Sequence, residues 1–582
     1  MMLKTSSNKV NPSANMFRFT LKQNLGIIVL ATIAFLLVCP SYMLINLNAF
    51  SFTAVEKNHY FKEWCENFSF FASIISGVSV VGINLLNFSF MFKRNSSDFT
   101  DSLPITRNEL FLSKTISGFL IVLVPSVLSL LALGIAATCF GFSKIFLSVF
   151  INILYIIAIT AVCSAFSMIF IISSASIFDF LLSFATVNIG LLILGAIVCN
   201  MCEELLIGYR GSGYVTVFRY ISPVSFAYYG FGSHIFASRA PLFSFSYFIK
   251  AIIITAVFYV ISLLLYRKRK TESTGKAFAY NFLYIICAFL ISFCASYAFG
   301  AVFADGVNFN SGIFYLFAII GGLIAGVVYG AITSRGFKTI KKSLIIGGVS
   351  FVIMVALAGS IKIDVIGYNK RIPSKENVKV ASVKIWSDNV SYTDPTFVID
   401  LHKKIITEDD ILMDYHAFNH ELKDDESTAT AVDINYTLKN GRTLSRTYLV
   451  YNKKIEKELE TLLKSKERFE TIRNSLTLSK PKTVNFYVNS KDGNYLDVYL
   501  TYNETLKFLD IYEKEIANKK VSSVYDDNNN FYEMNYSGNS RYFSSSFYFD
   551  ETYTETKNYL DSLNLGDRVK YYDLADDIEY AD

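Results

Sequence analysis

Ionisable side chains are scarce in the apolar runs of this 582-residue chain. Charged residues make up 18% of the chain, whereas soluble domains have about a quarter. The acidic residues in or beside the apolar runs are Asp179, Glu203 and Glu204, and each lies near the end of a run. Ion-coupled transport depends on carboxylates buried in mid-membrane, so this scarcity argues against a secondary transporter or a proton pump.

A phosphate-binding loop is also absent from the sequence. Such a loop has the pattern GxxxxGK[ST]. The nearest segment has Gly275 and Lys276, but Lys270 stands where the first glycine belongs and Ala277 replaces the hydroxyl residue. Any ATP that drives this protein must therefore be bound by a partner chain.

Cysteine is missing from the last 220 residues, since all eight cysteines precede residue 295. No disulfide can stabilise that part, which fits a cytosolic domain and equally an exterior domain in an organism that makes few disulfides. Histidine is rare too. His416, His420 and Glu421 could bind zinc, but their segment is polar and lacks HExxH, which favours a solvated surface. No catalytic, cofactor or metal site is predicted.

The chain is instead rich in apolar residues, at 52%, and divides into two parts. Residues 1–361 contain 24 basic and 11 acidic residues, and residues 362–582 contain 30 and 38. A membrane-spanning helix needs about 20 apolar residues. Nine runs in the first part meet this requirement, which predicts a polytopic α-helical membrane protein. They are 25–47, 69–92, 115–139, 145–172, 177–200, 248–266, 280–300, 312–333 and 344–361.

Basic residues in the connecting segments predict the orientation of these spans. With the N-terminus inside, the inner segments contain 17 Lys and Arg and the outer segments six. Residues 1–24 are then an inner interfacial helix, and 201–247 is an outer segment that folds back against the membrane. Nine spans place everything after residue 361 outside, and an error of one span would reverse that.

The polar C-terminal part, 362–582, is predicted to be a soluble α+β domain with repeated hairpin–helix units. Strands Ala429–Leu438 and Thr443–Tyr451 flank an Asn-Gly turn and precede a helix at 453–468. The pattern recurs 51 residues later, with strands at 483–489 and 495–502, a turn at Asp492-Gly493 and a helix at 504–519. Asn452 and Asn503 are the predicted helix caps. A weaker third unit covers 541–550 and 552–563.

A basic and aromatic cluster on the first hairpin allows two interpretations. Arg442 and Arg446 lie near Tyr436, Tyr448 and Tyr451, which fits a ligand-facing patch, but an ordinary amphipathic strand pair explains the pattern better. The acidic balance of the domain argues against nucleic-acid binding.

The segment between the second and third spans combines charge with a helix-start pattern. Leu103-Pro104 ends the preceding structure. Thr106 is predicted to cap a helix that begins at Arg107, with Glu109 in the carboxylate position of a capping box. Taken alone, this pattern also fits an ordinary charged connector.

The residues of this segment carry a family resemblance. Ser102-Leu103-Pro104-Ile105-Thr106-Arg107, followed by Leu110-Phe111, Ser113-Lys114, Gly118 and Pro125, closely resembles a loop between the second and third spans of ABC transporter permeases of the type-2 exporter class. The run 267–278 resembles a motif after the sixth span in one bacterial branch, which adds further spans and an uncharacterised C-terminal extracytoplasmic domain. Residues 436–448 are similar to part of that domain. Nine spans depart from the simple six-span members.

The resemblance implies a six-span permease core at 25–266 and three additional spans within 267–361. It also implies that residues 1–24 support a coupling loop at 93–114. Two permease chains, the same or related, would pair in the cell membrane, each with a cytoplasmic ABC ATPase subunit. The substrate would be exported, and this chain would itself be no enzyme and hold no cofactor. The implied ATPase-coupling residues are Asp98, Asp101, Ser102, Leu103, Pro104, Thr106, Arg107, Glu109, Phe111 and Lys114. Asp101, Arg107 and Glu109 would pair across that interface.

Two other functional classes remain open at the level of sequence. One is a polytopic membrane sensor that uses its exterior domain as a receptor. The other is an exterior enzyme on a membrane anchor, which would need a nucleophile or a metal cluster in 370–582, and none stands out there.

Overall fold

The computed structural model describes residues 12–37, 54–139, 145–209, 214–236, 244–273, 278–304, 306, 309, 311–385, 388–408, 412, 429–451, 454–479, 483–489, 495–519, 531–538, 541–548, 552–563 and 569–572. The chain divides into two compact units. The first comprises residues 1–201 and 214–359, and the second comprises 202–213 and 360–582. Each unit is described by itself below.

The first unit is built from helices. They are α1 Pro12–Gln23, α2 Leu25–Leu36, α3 Ala54–Asn87, α4 Arg94–Asp101, α5 Arg107–Cys139, α6 Ile145–Ser173, α7 Ile177–Leu205, α8 Tyr214–Tyr220, α9 Pro223–Phe236, α10 Phe245–Lys268, α11 Asn281–Phe303, α12 Gly312–Ser334 and α13 Ile340–Lys362. The last few residues of α7 and α13 belong to the second unit.

Eight of the described helices are long and apolar enough to cross a membrane, namely α3, α5, α6, α7, α10, α11, α12 and α13. They coincide with the eight predicted spans from 69–92 onward, so the chain has the helices of a multi-pass membrane protein. The predicted first span, 25–47, is described only as far as Leu37. There α2 follows α1 at a bend of 54°, and α1 occupies the place of the predicted interfacial helix. The side of the membrane on which each end lies stays a prediction.

The segment predicted to fold back against the membrane contains the two short helices α8 and α9 among its described residues. Neither is long enough to cross a bilayer, which needs about 20 residues. Its depth in the membrane stays a prediction.

Uncharged polar side chains hold the spans together. Asn84 on α3 donates from Nδ2 to Ser164 Oγ on α6 over 2.8 Å, and Tyr259 on α10 donates to the same oxygen over 2.7 Å. On α5, a Cβ at Gly118 would stand 2.7 Å from Asn84 Oδ1. A side chain there would crowd the Asn84 amide, so glycine allows α5 to approach α3 closely, which is how small residues pack membrane helices.

The second unit contains two antiparallel sheets. The strands are β1 Val378–Ile385, β2 Asp388–Tyr392, β3 Ala429–Leu438, β4 Thr443–Tyr451, β5 Thr483–Asn489, β6 Tyr495–Thr501, β7 Phe531–Gly538, β8 Arg541–Tyr548 and β9 Val569–Tyr572. The helices are α14 Thr396–Thr407, α15 Glu456–Lys464, α16 Lys466–Ser479, α17 Tyr502–Ala517 and α18 Thr554–Ser562. The spatial orders are β2-β1-β3-β4 and β8-β7-β5-β6-β9. In both sheets two hairpins therefore meet along their first strands.

Both predicted hairpins are confirmed, since β3 pairs with β4 and β5 pairs with β6. The predicted helix 453–468 is wrong in extent, because Ser465 has extended backbone and separates α15 from α16. The cap assigned to Asn503 is also wrong. Thr501 caps α17 and shares a capping box with Glu504, while Asn503 lies inside the first turn. Asn452, Asp492 and Gly493 lie outside the described residues.

A buried ion pair connects the two sheets. Arg468 on α16 donates from Nε and Nη2 to the two carboxylate oxygens of Asp388 on β2, each over 3.2 Å. Ser545 on β8 donates to the same carboxylate. The side chains of Arg468 and Asp388 are 1% and 2% exposed. This network joins an edge strand of each sheet to the helix between them.

Removing one partner of this pair should destabilise the second unit. Arg468→Met leaves Asp388 buried without its counter-ion, which costs about 3–5 kcal/mol. The measurement is a denaturant titration of the full chain in detergent on a Trp64→Phe background, so that Trp386 is its single tryptophan. Lys466→Met is the matched control, because its pair with Glu470 is exposed and contributes at most about 1 kcal/mol. Equal shifts in both variants would contradict the assignment.

Candidate functional site

The connection between the second and third predicted spans forms a short helix and a capped helix start. After α3 comes a 3₁₀ turn, Ser89–Phe92, then α4, and then α5 from Arg107. Thr106 Oγ1 accepts from the Glu109 backbone amide over 3.3 Å, and the Glu109 carboxylate accepts from the Thr106 amide over 3.0 Å. The predicted capping box is confirmed, and it fixes where the loop becomes a helix.

Arg107 joins this helix start to the end of α10. Its Nη1 donates to the backbone carbonyl of Arg267 over 3.2 Å and to that of Arg269 over 3.0 Å. In return, Arg267 Nε donates to Asn108 Oδ1 over 2.6 Å. The two segments that carried the family resemblance are therefore in direct contact.

Arg269 extends the connection to two more helices. Its side chain is buried, with 7% of the residue exposed. It donates to the carbonyls of Ile172 and Ser174 at the end of α6, the latter over 2.8 Å, and to Met91 after α3 over 3.2 Å. Burial lowers the pKa of this guanidinium to about 10, so it stays protonated at physiological pH.

Aromatic packing and one ammonium group form the base of the loop. Phe111 is buried, with its ring centroid 5.9 Å from that of Phe88 and 5.7 Å from that of Tyr266. Lys114 Nζ donates to the carbonyl of Asn87 over 2.8 Å. Met16 of α1 packs against the same cluster. The ends of α3, α5, α6 and α10 thus meet beneath the loop, with α1 beside them.

The outer part of the loop is exposed. We call Asp98, Phe99, Ser102 and Pro104 the exposed rim. Phe99 is 68% exposed, although it is a large apolar residue. Leu103 is half-buried, and Asp101 ends α4 with a side chain that lies outside the description.

The ten predicted coupling residues lie in different surroundings, with Asp98, Ser102 and Pro104 in the exposed rim, whose Phe99 the sequence reasoning missed. The exposed rim faces solvent, whereas Phe111 and Lys114 hold helices together. Arg107 and Glu109 have partners within this chain, so their pairing with another subunit stays a prediction. Sequence reasoning missed Arg269, Asn87 and Asn108. The four basic residues 267–270 signalled only an inner helix end, and nothing in that run marks which side chain is buried.

The second unit has a buried polar cluster on the first hairpin. His402 on α14 lies between two tyrosines, with Nδ1 3.0 Å from Tyr436 Oη and Nε2 2.7 Å from Tyr448 Oη. Arg446 is 3% exposed and stacks on the Tyr368 ring at 3.5 Å. The side chains of Tyr436, Arg446 and Tyr448 are therefore buried and form no exposed patch, and the choice between the two interpretations stays a prediction. Arg442 remains exposed.

Among the described residues, no group of three or more His, Cys, Asp or Glu is placed to hold a metal ion. His416, His420 and Glu421 lie outside the description.

No protein-family model matches the chain, and neither does a curated protein or a solved structure. The candidate site is therefore defined by its own geometry.

Replacing Arg269 should loosen the helix ends. Arg269→Lys keeps the charge, but a single ammonium cannot reach carbonyls on both α6 and the turn after α3, and hydrogen bonds to charged groups contribute about 1.5–3 kcal/mol. We expect the thermal midpoint in detergent to fall by about 5 °C or more, measured by fluorescence-detected size-exclusion chromatography. Lys268→Arg and Lys270→Arg change exposed neighbours in the same run and should leave the midpoint unchanged. A loss shared by all three variants would contradict the role of Arg269.

His402 should make the second unit less stable in acid. Burial lowers its folded-state pKa to about 4, and the positive charge of Arg446 acts in the same direction. Between the ordinary pKa near 6.5 and this value, the unfolded chain binds a proton that the folded chain does not. Stability therefore falls as pH drops through that window, by up to about 3 kcal/mol from this residue. His402→Gln should reduce the pH dependence of denaturant unfolding, measured with Trp386 on the Trp64→Phe background. An identical pH profile in both proteins would contradict this effect.

Proposed function

We propose that the chain is the membrane-spanning permease subunit of an ATP-driven ABC transporter in the plasma membrane. Its task would be to export or remove a membrane-active or cell-envelope compound. ATP hydrolysis would occur on a separate cytoplasmic ATPase subunit, and a second permease subunit, the same or related, would complete the translocation unit. In this arrangement the loop 93–114 lies inside the cell and the second unit lies outside.

One observation carries the proposal: an exposed rim stands on a base that joins four helix ends. A protein that pushes on the rim moves the start of α5, and Arg107 passes that displacement to the end of α10. Arg269 then passes it to the end of α6 and to the turn after α3. A surface loop with no mechanical task would not need Arg107 bonded to the end of α10 and a buried Arg269 bonded to the end of α6 and to the turn after α3.

The polar groups inside the first unit support the proposal that another protein supplies the energy for transport. The interhelical hydrogen bonds described above join amides and hydroxyls, those of Asn84, Ser164 and Tyr259. The buried carboxylate of Asp179 lies in the first turn of α7, where Ser176 donates to it. Ion-coupled transporters rely on ionisable groups in mid-membrane. The exposed rim also has the composition of a docking site, since an aromatic anchor beside charged residues is typical of interface hot spots.

The test is co-purification of an ATPase with the full-length chain from native membranes. Wild-type protein, solubilised in mild detergent and captured by a terminal tag, should bring down an ATPase subunit identifiable by mass spectrometry. Phe99→Asp should reduce the captured ATPase at least about ten-fold, because loss of a hot-spot aromatic residue costs about 2 kcal/mol or more. Asp98→Lys should weaken capture by a smaller factor than Phe99→Asp does. This loss should be larger at low salt than at high salt.

The matched control is Phe337→Asp. Phe337 is 71% exposed, lies in the turn between α12 and α13, and is predicted to be on the same side of the membrane. This variant should retain the ATPase. Absence of an ATPase from the wild-type sample, or equal capture by both phenylalanine variants, would overturn the proposal and favour the sensor interpretation.

A further inference from the structure

An apolar groove of about 360 Å³ lies between α5 and α10, with α6 at its floor. Its walls are Leu112, Ile116 and Phe119 on α5 and Val260 and Leu263 on α10. Several of these residues are exposed, including Leu112 at 50% and Val260 at 56%. The groove is thus a lateral, lipid-accessible recess in two predicted spans.

The surface of the groove is wholly apolar. Thr115 lines the recess and is 4% exposed. Its Oγ1 makes no hydrogen bond to any described residue, not even to a carbonyl of its own helix. This hydroxyl is enclosed by protein atoms and presents no surface to the groove, so an occupant meets only apolar atoms there.

The loop end of the groove is strongly basic. One helical turn beyond Leu263 and Leu112, at i+4 and i−4, lie Arg267 and Asn108, which hydrogen-bond to each other over the groove. The flanking segments 104–114 and 264–272 contain six basic and two acidic residues. One of those two acids, Glu109, is occupied by Thr106. Lys268 is exposed beside Arg267.

We propose that this groove holds one acyl chain of an anionic glycerophospholipid whose phosphate rests on Arg267 and Lys268. The recess accepts the apolar tail, and the basic end matches the negative head group. A zwitterionic lipid could place an acyl chain in the groove, but it has no net negative charge to match the basic end. Free phosphate would satisfy the charge but leave the recess unfilled.

Such a lipid would bridge α5 and α10 at the level of the Arg107 and Arg267 contacts. It would act as an additional connection between the two helix ends that the loop joins. The site is compatible with the proposed transport function and independent of it.

The test is native mass spectrometry of the full-length chain in uncharged detergent, titrated with dioleoylphosphatidylglycerol or dioleoylphosphatidylcholine. The anionic lipid should bind at least ten-fold more tightly. Lys268→Gln should weaken its binding about five-fold, and Arg267→Gln with Lys268→Gln about 25-fold, since each basic group near an anionic head group contributes a factor of about five. Inorganic phosphate at millimolar concentration should not displace the lipid.

Two matched pairs separate the site from general effects. Val260→Trp fills the groove and should abolish binding of the anionic lipid, whereas Val352→Trp, at an equally exposed valine on α13, should not. Lys341→Gln removes an exposed charge at the start of α13 and should leave binding unchanged. Equal affinity for both lipids, displacement by phosphate, or undiminished binding in Val260→Trp or in the double variant would overturn the proposal.

Discussion

The buried guanidinium of Arg269 is the constraint on which the loop region of the first unit depends. A helix leaves its last four carbonyls without intrahelical partners and carries a partial negative charge at that end. Ile172 and Ser174 at the end of α6 supply such carbonyls, and Arg269 supplies the positive charge and the donors. The two groups stabilise each other, because a buried carbonyl without a donor is costly and a buried cation without acceptors is costlier still. Arg107 makes the same kind of contact nearer the loop, because it donates to the carbonyl of Arg267 at the end of α10.

This pattern explains how a loop can be both exposed and firmly placed. Planar guanidinium groups with several donors can hold two or three carbonyls in a fixed geometry, which a lysine cannot do. The exposed rim therefore rests on a base of several hydrogen bonds, and in the proposed function a displacement at Phe99 or Pro104 would be carried by whole helices. Buried polar contacts deeper in the unit are uncharged and weaker, as between Asn84 and Ser164. Strong connections at the helix ends and weaker ones in the interior favour rigid-body motion of helices about their loop ends.

The sequence predicted elements whose signals are local. Apolar runs of sufficient length located eight spans, Asn-Gly and alternating residues located the first hairpin, and the Thr106–Glu109 spacing located the start of α5. The errors arose where several local signals competed. Thr501 and Asn503 are both good caps, and the capping box with Glu504 decides between them. The sequence could not predict contacts between residues that are far apart along the chain. Arg107 and Arg269 are 162 residues apart, and basic residues at an inner helix end predict orientation without predicting which of them is buried.

The two sheets of the second unit also depend on pairings that the sequence did not predict. The 51-residue echo predicted similar hairpins, and both hairpins form, yet their partners come from opposite directions along the chain. The hairpin β1–β2 precedes β3 and pairs with it, whereas β7–β8 follows β5–β6 and pairs with β5. The two sheets thus have equivalent spatial orders, although their strands follow one another differently along the chain. This is possible because a hairpin that comes earlier or later in the chain can pair with an exposed strand edge. The Asp388–Arg468–Ser545 network then draws on β2, α16 and β8, which are far apart in sequence. The strand orders make β2 and β8 edge strands of their sheets, and the bond from Ser545 to Asp388 joins these two edges.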